Sequence, residues 1–81
     1  MASKYVLELT VGRRAQKWSS ALHYRDDRTA IAEARALLAA YFADPSAGTA
    51  GSMLVGRLCE DGSTEWLGAW RWNKRAVWMP A

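Results

Sequence analysis

The stretch Arg28-Thr29-Ala30-Ile31-Ala32-Glu33-Ala34-Arg35-Ala36-Leu37-Leu38-Ala39-Ala40-Tyr41-Phe42-Ala43 decides the fold. Ile31, Ala34, Leu37, Leu38, Tyr41 and Phe42 recur at helical spacing and make one apolar stripe. Asp26 or Asp27 supplies the N-cap, because a short carboxylate accepts the free amide protons of a first helical turn. Asp44-Pro45 ends the helix, since a residue before proline is pushed out of the helical region. Ala32, Ala36, Ala39, Ala40 and Ala43 leave the other side almost uncharged. Alanine is the best helix former and fills exposed positions cheaply, although so smooth a face would also suit a second subunit.

Everything outward from this helix reads as strand. Toward the N-terminus, residues 4–11 alternate, with Tyr5, Leu7, Leu9 and Val11 on one face and Val6, Glu8 and Thr10 on the other. Residues 12–16 read as a turn. Residues 17–25 alternate again through Trp18, Ser20, Leu22 and Tyr24, so the two segments pair as a hairpin. Toward the C-terminus, residues 45–52 read as a flexible loop. Strands follow from Met53 to Cys59, Thr64 to Trp72 and Arg75 to Met79, separated by turns at Asp61-Gly62 and Asn73-Lys74. The order is ββαβββ. It predicts an α+β fold, one antiparallel sheet of about five strands against one helix, in a single domain over residues 1–81.

Two-residue turns would place Arg57 opposite Trp66, Val55 opposite Gly68, Met53 opposite Trp70, Trp72 opposite Arg75 and Trp70 opposite Val77. Met53, Val55, Arg57, Trp66, Trp70, Trp72, Arg75 and Val77 would then share one face. Leu54, Leu58, Leu67, Ala69, Arg71 and Trp78 would share the other. One helix covers one face. If it covers the leucines, Trp66, Trp70 and Trp72 stand open beside Arg57 and Arg75, as a platform for bases or a protein hot spot. If it covers the tryptophans, they are core, which a thin domain needs. Trp72 and Trp78, near the sheet end, are the rings expected to stay partly exposed.

The chain has 81 residues, 51% of them hydrophobic and 23% charged, which excludes a disordered segment. One Cys (Cys59) and one His (His23) exclude a disulfide framework and a His- or Cys-rich metal cluster, and no cofactor is implied. No apolar run approaches a membrane span, and Met1-Ala2-Ser3-Lys4-Tyr5 lacks a secretory apolar stretch, so a reduced cytoplasmic setting is expected. Cys59 lies beside Glu60 and Asp61, a setting that disfavours an activated thiolate, and no motif links His23 to a nucleophile. Glu60, Asp61 and Glu65 read as a solvated hairpin tip. No P-loop or dinucleotide glycine motif is present. The expectation is a binding protein, not an enzyme.

Charge is unevenly spread over the net +3. Residues 1–25 carry five cations against one acid, residues 26–65 three against seven, and residues 66–81 three against none. If the two ends of the chain meet in the sheet, they form one positive region suited to phosphates or to an acidic protein. The candidate binding residues are therefore Arg13, Arg14, Lys17, Arg57, Trp70, Arg71, Trp72, Lys74 and Arg75.

One family shares this layout. Tyr5-Val6-Leu7-Glu8-Leu9 opens it, and Ala30-Ile31-Ala32-Glu33-Ala34-Arg35 follows in the helix. Gly51-Ser52-Met53-Leu54-Val55, Trp66-Leu67-Gly68-Ala69-Trp70 and Lys74-Arg75-Ala76-Val77-Trp78 complete it. The chain resembles the small one-helix, five-stranded anti-CRISPR proteins of phages that act on type I Cascade complexes. The loop at residues 44–52 is longer than in that pattern, and there are extra tryptophans. The resemblance implies a protein of the bacterial cytoplasm that binds Cascade subunits and blocks target DNA, some members by acidic surfaces, others by basic residues that also touch DNA. From the Ala-rich helix face and the absence of a long apolar run, a monomer or weak homodimer with no membrane partner is expected. A nucleic-acid-binding module using the basic, Trp-rich strand surface is the alternative reading.

Overall fold

The computed structural model describes residues 3–12 and 16–81. Its elements are β1 (Ser3–Val11), β2 (Gln16–Tyr24), α1 (Asp27–Phe42), a single 3-10 turn (Pro45–Ala47), β3 (Ala50–Leu58), β4 (Thr64–Asn73) and β5 (Ala76–Pro80). The strands form one antiparallel sheet in the order β2-β1-β3-β4-β5. The fold is α+β, as the period-two and helical patterns predict. β2 and β3 both flank β1, so the chain must cross β1 between them. Helix α1 lies on that crossing and covers one face of the sheet. No helix among the described residues is long and apolar enough to cross a membrane.

Asp26 is the N-cap. Its carboxylate accepts from the Thr29 amide at 2.8 Å and the Thr29 hydroxyl at 2.7 Å. Those bonds hold its pKa below the usual carboxylate value. Ala30, Ala34, Leu38 and Phe42 are the buried residues of the helix, with Ile31, Leu37 and Tyr41 half-buried beside them. Two of the four buried positions are alanine, which lets the helix axis sit close to the sheet. Tyr5, Leu7 and Leu9 of β1 and Met53 and Val55 of β3 complete the core. Ala32, Ala36, Ala40 and Ala43 are exposed, so the Ala-rich side is surface.

The tryptophans divide between the faces. Trp70, Trp72 and Trp78 turn toward the helix. Trp72 stacks on Phe42 with ring centroids 5.5 Å apart and planes 4° from parallel. Trp70 lies 5.2 Å from Trp78, and the Arg35 guanidinium sits 5.5 Å over its ring. Its indole N–H donates to the Ile31 carbonyl at 2.7 Å. Trp66 turns the other way and is 41% exposed.

Several details correct the sequence reading. The β3–β4 connection has three residues, Glu60 to Gly62, because the Cys59 amide bonds the Ser63 carbonyl and the Asp61 carboxylate accepts from the Ser63 amide and hydroxyl. Arg57 therefore pairs with Glu65, and Gly56 with Trp66. A bulge between Val55 and Gly56 then absorbs Leu67, restoring Val55 opposite Gly68 and Met53 opposite Trp70. Trp66 thus changes face, and Leu67 packs against the core. The β4–β5 turn is also displaced by one residue from the expected register, with Lys74 at φ 71°. Trp72 pairs with Ala76 and Trp70 with Trp78, so Trp78 joins the helix side and Val77 the open face. The expected flexible loop at 45–52 is shorter, since Pro45–Ala47 forms a 3-10 turn and β3 begins at Ala50.

Candidate anion-binding site

The open face repeats the sheet order in rows of side chains. Register places Thr10, Ser52, Arg71 and Val77 in one row, and Ser19, Glu8, Leu54, Ala69 and Met79 in the next. The first row lies toward the end where β1 finishes, β3 begins and the β4–β5 turn projects. There the surface hollows into a cleft of about 460 Å³. Thr10, Ser52, Arg71, Asn73 and Arg75 supply its polar lining, while Val77 and part of Trp72 are apolar. Among the described residues, no Asp or Glu lines it. The sequence has no acid between Glu8 and Asp26 and none after Glu65, which is why this end stays cationic. Asp44, in the connection before β3, is engaged by the Ser46 amide and hydroxyl, both at 2.9 Å.

The candidate cations separate into two groups. Arg71, Lys74 and Arg75 are exposed at the cleft end, and among the described residues none of them takes part in an ion pair. Arg13 and Arg14 lie outside the described residues. The Lys17 backbone pairs with Thr10 at the cleft end. Arg57 stands elsewhere. It donates to Asp27 at 3.0 and 3.1 Å and to Glu65 at 2.6 Å, and Asp27 also accepts from the Tyr5 hydroxyl at 2.6 Å. This network ties the first turn of α1 to β1, β3 and β4. Arg57 is thereby neutralised and is a fastening, not a free cation. Trp70 and Trp72 hold the helix instead of forming an open platform.

The alternation that sets Leu9 inward sets Thr10 outward, so the facing of Thr10 was legible. Its neighbourhood to Ser52 and Arg71 was not, because that depends on β1 pairing with β3 across a separation of more than 40 residues. His23 is exposed opposite Lys4, and Cys59 is exposed at the hairpin turn.

The Tyr5 phenol is pushed up from 10.0 to about 12, first by burial, then by its hydrogen bond to Asp27 and that carboxylate's charge. In the unfolded chain the phenol ionises near its ordinary value. The folded state therefore holds this proton more tightly, and its contribution to stability is complete below about pH 10. It fades as pH rises through about 12. Following tyrosinate absorbance and unfolding together should show one phenol released only as the fold is lost. Tyr5→Phe should flatten the alkaline decline. A Tyr5→Phe variant that loses stability with pH as steeply as the parent would refute this assignment.

No protein-family model, curated protein or solved structure matches the chain.

Proposed function

We propose that this domain works by binding, not by catalysis, and that it docks on an anionic surface of a macromolecular partner through Arg71, Lys74 and Arg75. Following the layout resemblance, the partner is a type I Cascade complex, and the consequence is loss of target-DNA engagement, as in a phage anti-CRISPR inhibitor. The observation that carries the binding reading is the acid-free cleft bordered by Arg71 and Arg75 at the sheet end. Cations that face no carboxylate of their own chain keep their charge for a partner, where complementarity sets encounter rate and register. The ββαβββ layout supports the choice of partner, which otherwise rests on the resemblance alone.

A target-DNA mobility shift with purified Cascade tests this. The protein should abolish the Cascade–DNA shift. The triple variant Arg71→Glu/Lys74→Glu/Arg75→Glu should restore it, with inhibitory potency lower by about 10- to 100-fold, because reversed charges now face like charges. Inhibition that survives all three reversals would remove this surface. A Cascade that still binds DNA in excess protein would remove that partner.

A further inference from the structure

We infer that the cleft is a phosphate site, and that its ligand is the sugar–phosphate backbone of a single strand of nucleic acid. The inference rests on the reading of the Arg71–Arg75 end as the binding surface, and adds the ligand and the residues that hold it. Thr10, Ser52 and Arg71 lie side by side on three adjacent strands, with about 4.8 Å between neighbours. Asn73 and Arg75 close the cleft from the β4–β5 turn. Among the described residues, none of these five side chains makes a hydrogen bond within the chain.

The donor set distinguishes phosphate from carboxylate. A carboxylate is planar and is satisfied by one guanidinium fork. Here two hydroxyls, one amide and two guanidiniums approach one hollow from a sheet floor and a turn. Such a spread of directions suits a tetrahedral group with several acceptor oxygens. Arg, Ser, Thr and Asn are also the side chains that commonly contact nucleic-acid phosphates. The size of the cleft, about 460 Å³, is that of a small-ligand pocket, enough for one phosphate with its flanking sugars. Beside it, Val77 and Met79, each 46% exposed, offer apolar surface to the neighbouring sugar or base. Trp70 faces the helix and takes no part, and Trp72, whose ring stacks on Phe42, adds only part of its surface to the lining.

The test is fluorescence anisotropy of a labelled oligothymidylate over a salt series, with a poly-glutamate peptide as the competing anion. The full chain should bind the oligonucleotide in the micromolar range and lose affinity with salt at about −0.7 in log–log slope per phosphate engaged. Arg71→Gln/Arg75→Gln should cut affinity about tenfold or more and make the slope shallower by about 1.4. Thr10→Val/Ser52→Ala should weaken binding without changing the slope. Arg25→Gln, at the opposite end of the sheet, should change neither, and a thermal melt on each variant confirms folding. The inference is overturned if the oligonucleotide fails to bind at low salt, if poly-glutamate competes equally, or if Arg25→Gln matches Arg71→Gln/Arg75→Gln. The two readings fail separately. An inhibitor of Cascade that ignores the oligonucleotide keeps the surface and loses the phosphate. Oligonucleotide binding with Cascade unaffected keeps the phosphate and loses that partner.

Discussion

Trp70→Ala is expected to destabilise the fold by about 3 kcal/mol, the lower part of the range for removing a large aromatic side chain from a core. The lower part applies because Trp70 is half-buried. The loss has three components. The ring gives up its packing on the core and on Trp78, its indole N–H leaves the Ile31 carbonyl, and Arg35 loses the ring face beneath it. The aromatic contacts and the hydrogen bond are each worth about 1 kcal/mol. A domain of this size has a total stability of roughly 4–12 kcal/mol, so the variant should sit near the limit of folding. Its melting temperature should fall by about 12–24 °C. Trp66→Ala is the internal comparison. That ring lies on the open face, and its loss should cost about 1 kcal/mol or less. If Trp66→Ala proves as damaging as Trp70→Ala, the division of tryptophans between the faces is wrong.

Gly68→Ala should cost about 3 kcal/mol or more. Gly68 sits at φ 151°, where side-chain-bearing residues are strained, and it is buried in β4 opposite Pro80 of β5. An added methyl would lie 2.5 Å from the Met79 carbonyl oxygen, 2.6 Å from a Trp78 ring carbon and 3.0 Å from the Pro80 Cα. Two of these three are backbone atoms, which move only if β5 parts from β4. Overpacking of this kind costs about 1–3 kcal/mol, and the strained φ adds a similar amount. Gly62→Ala separates the two effects. Gly62 also has a positive φ, 87°, but an added methyl meets nothing within 4 Å. It should cost only about 1–2 kcal/mol. Equal losses in chemical denaturation would mean that β5 does not press on Gly68.

The elements were legible because each rests on local chemistry. The helix follows from its stripe and from Asp26, whose carboxylate needs only Thr29, three residues away. The strands follow from alternation. What the sequence did not reveal is which side of the sheet each tryptophan takes. A one-residue error in a turn moves every side chain beyond it to the other face. Both C-terminal turns are one residue off the two-residue expectation. In β4 the bulge at Leu67 cancels that error, so Trp70 and Trp72 fall where the simple register put them and Trp66 does not. In β5 nothing cancels it, so Trp78 and Val77 exchange sides. A bulge leaves little trace in a single sequence. The cleft shows the same division. Arg71, Lys74 and Arg75 were visible as an acid-free run near the C-terminus. Thr10 and Ser52 became part of it only through the pairing of β1 with β3, a long-range choice with no local signal.

Arg71, Lys74 and Arg75 stand at one end of the sheet, and the Asp27–Arg57–Glu65 network stands away from it, so charge is unevenly spread over the molecule. The longest dimension is 38 Å, whereas an exposed charge is screened beyond about 8 Å in physiological salt. An approaching body therefore never meets the net +3. It meets either the sheet end carrying Arg71, Lys74 and Arg75 or the region where Arg57 is matched by Asp27 and Glu65. Near the anionic partner proposed above, and within that screening length, the molecule would be turned with this end first. Part of the orientational search that slows association between two proteins would then fall within the last screening length before contact, set by the geometry of one sheet end.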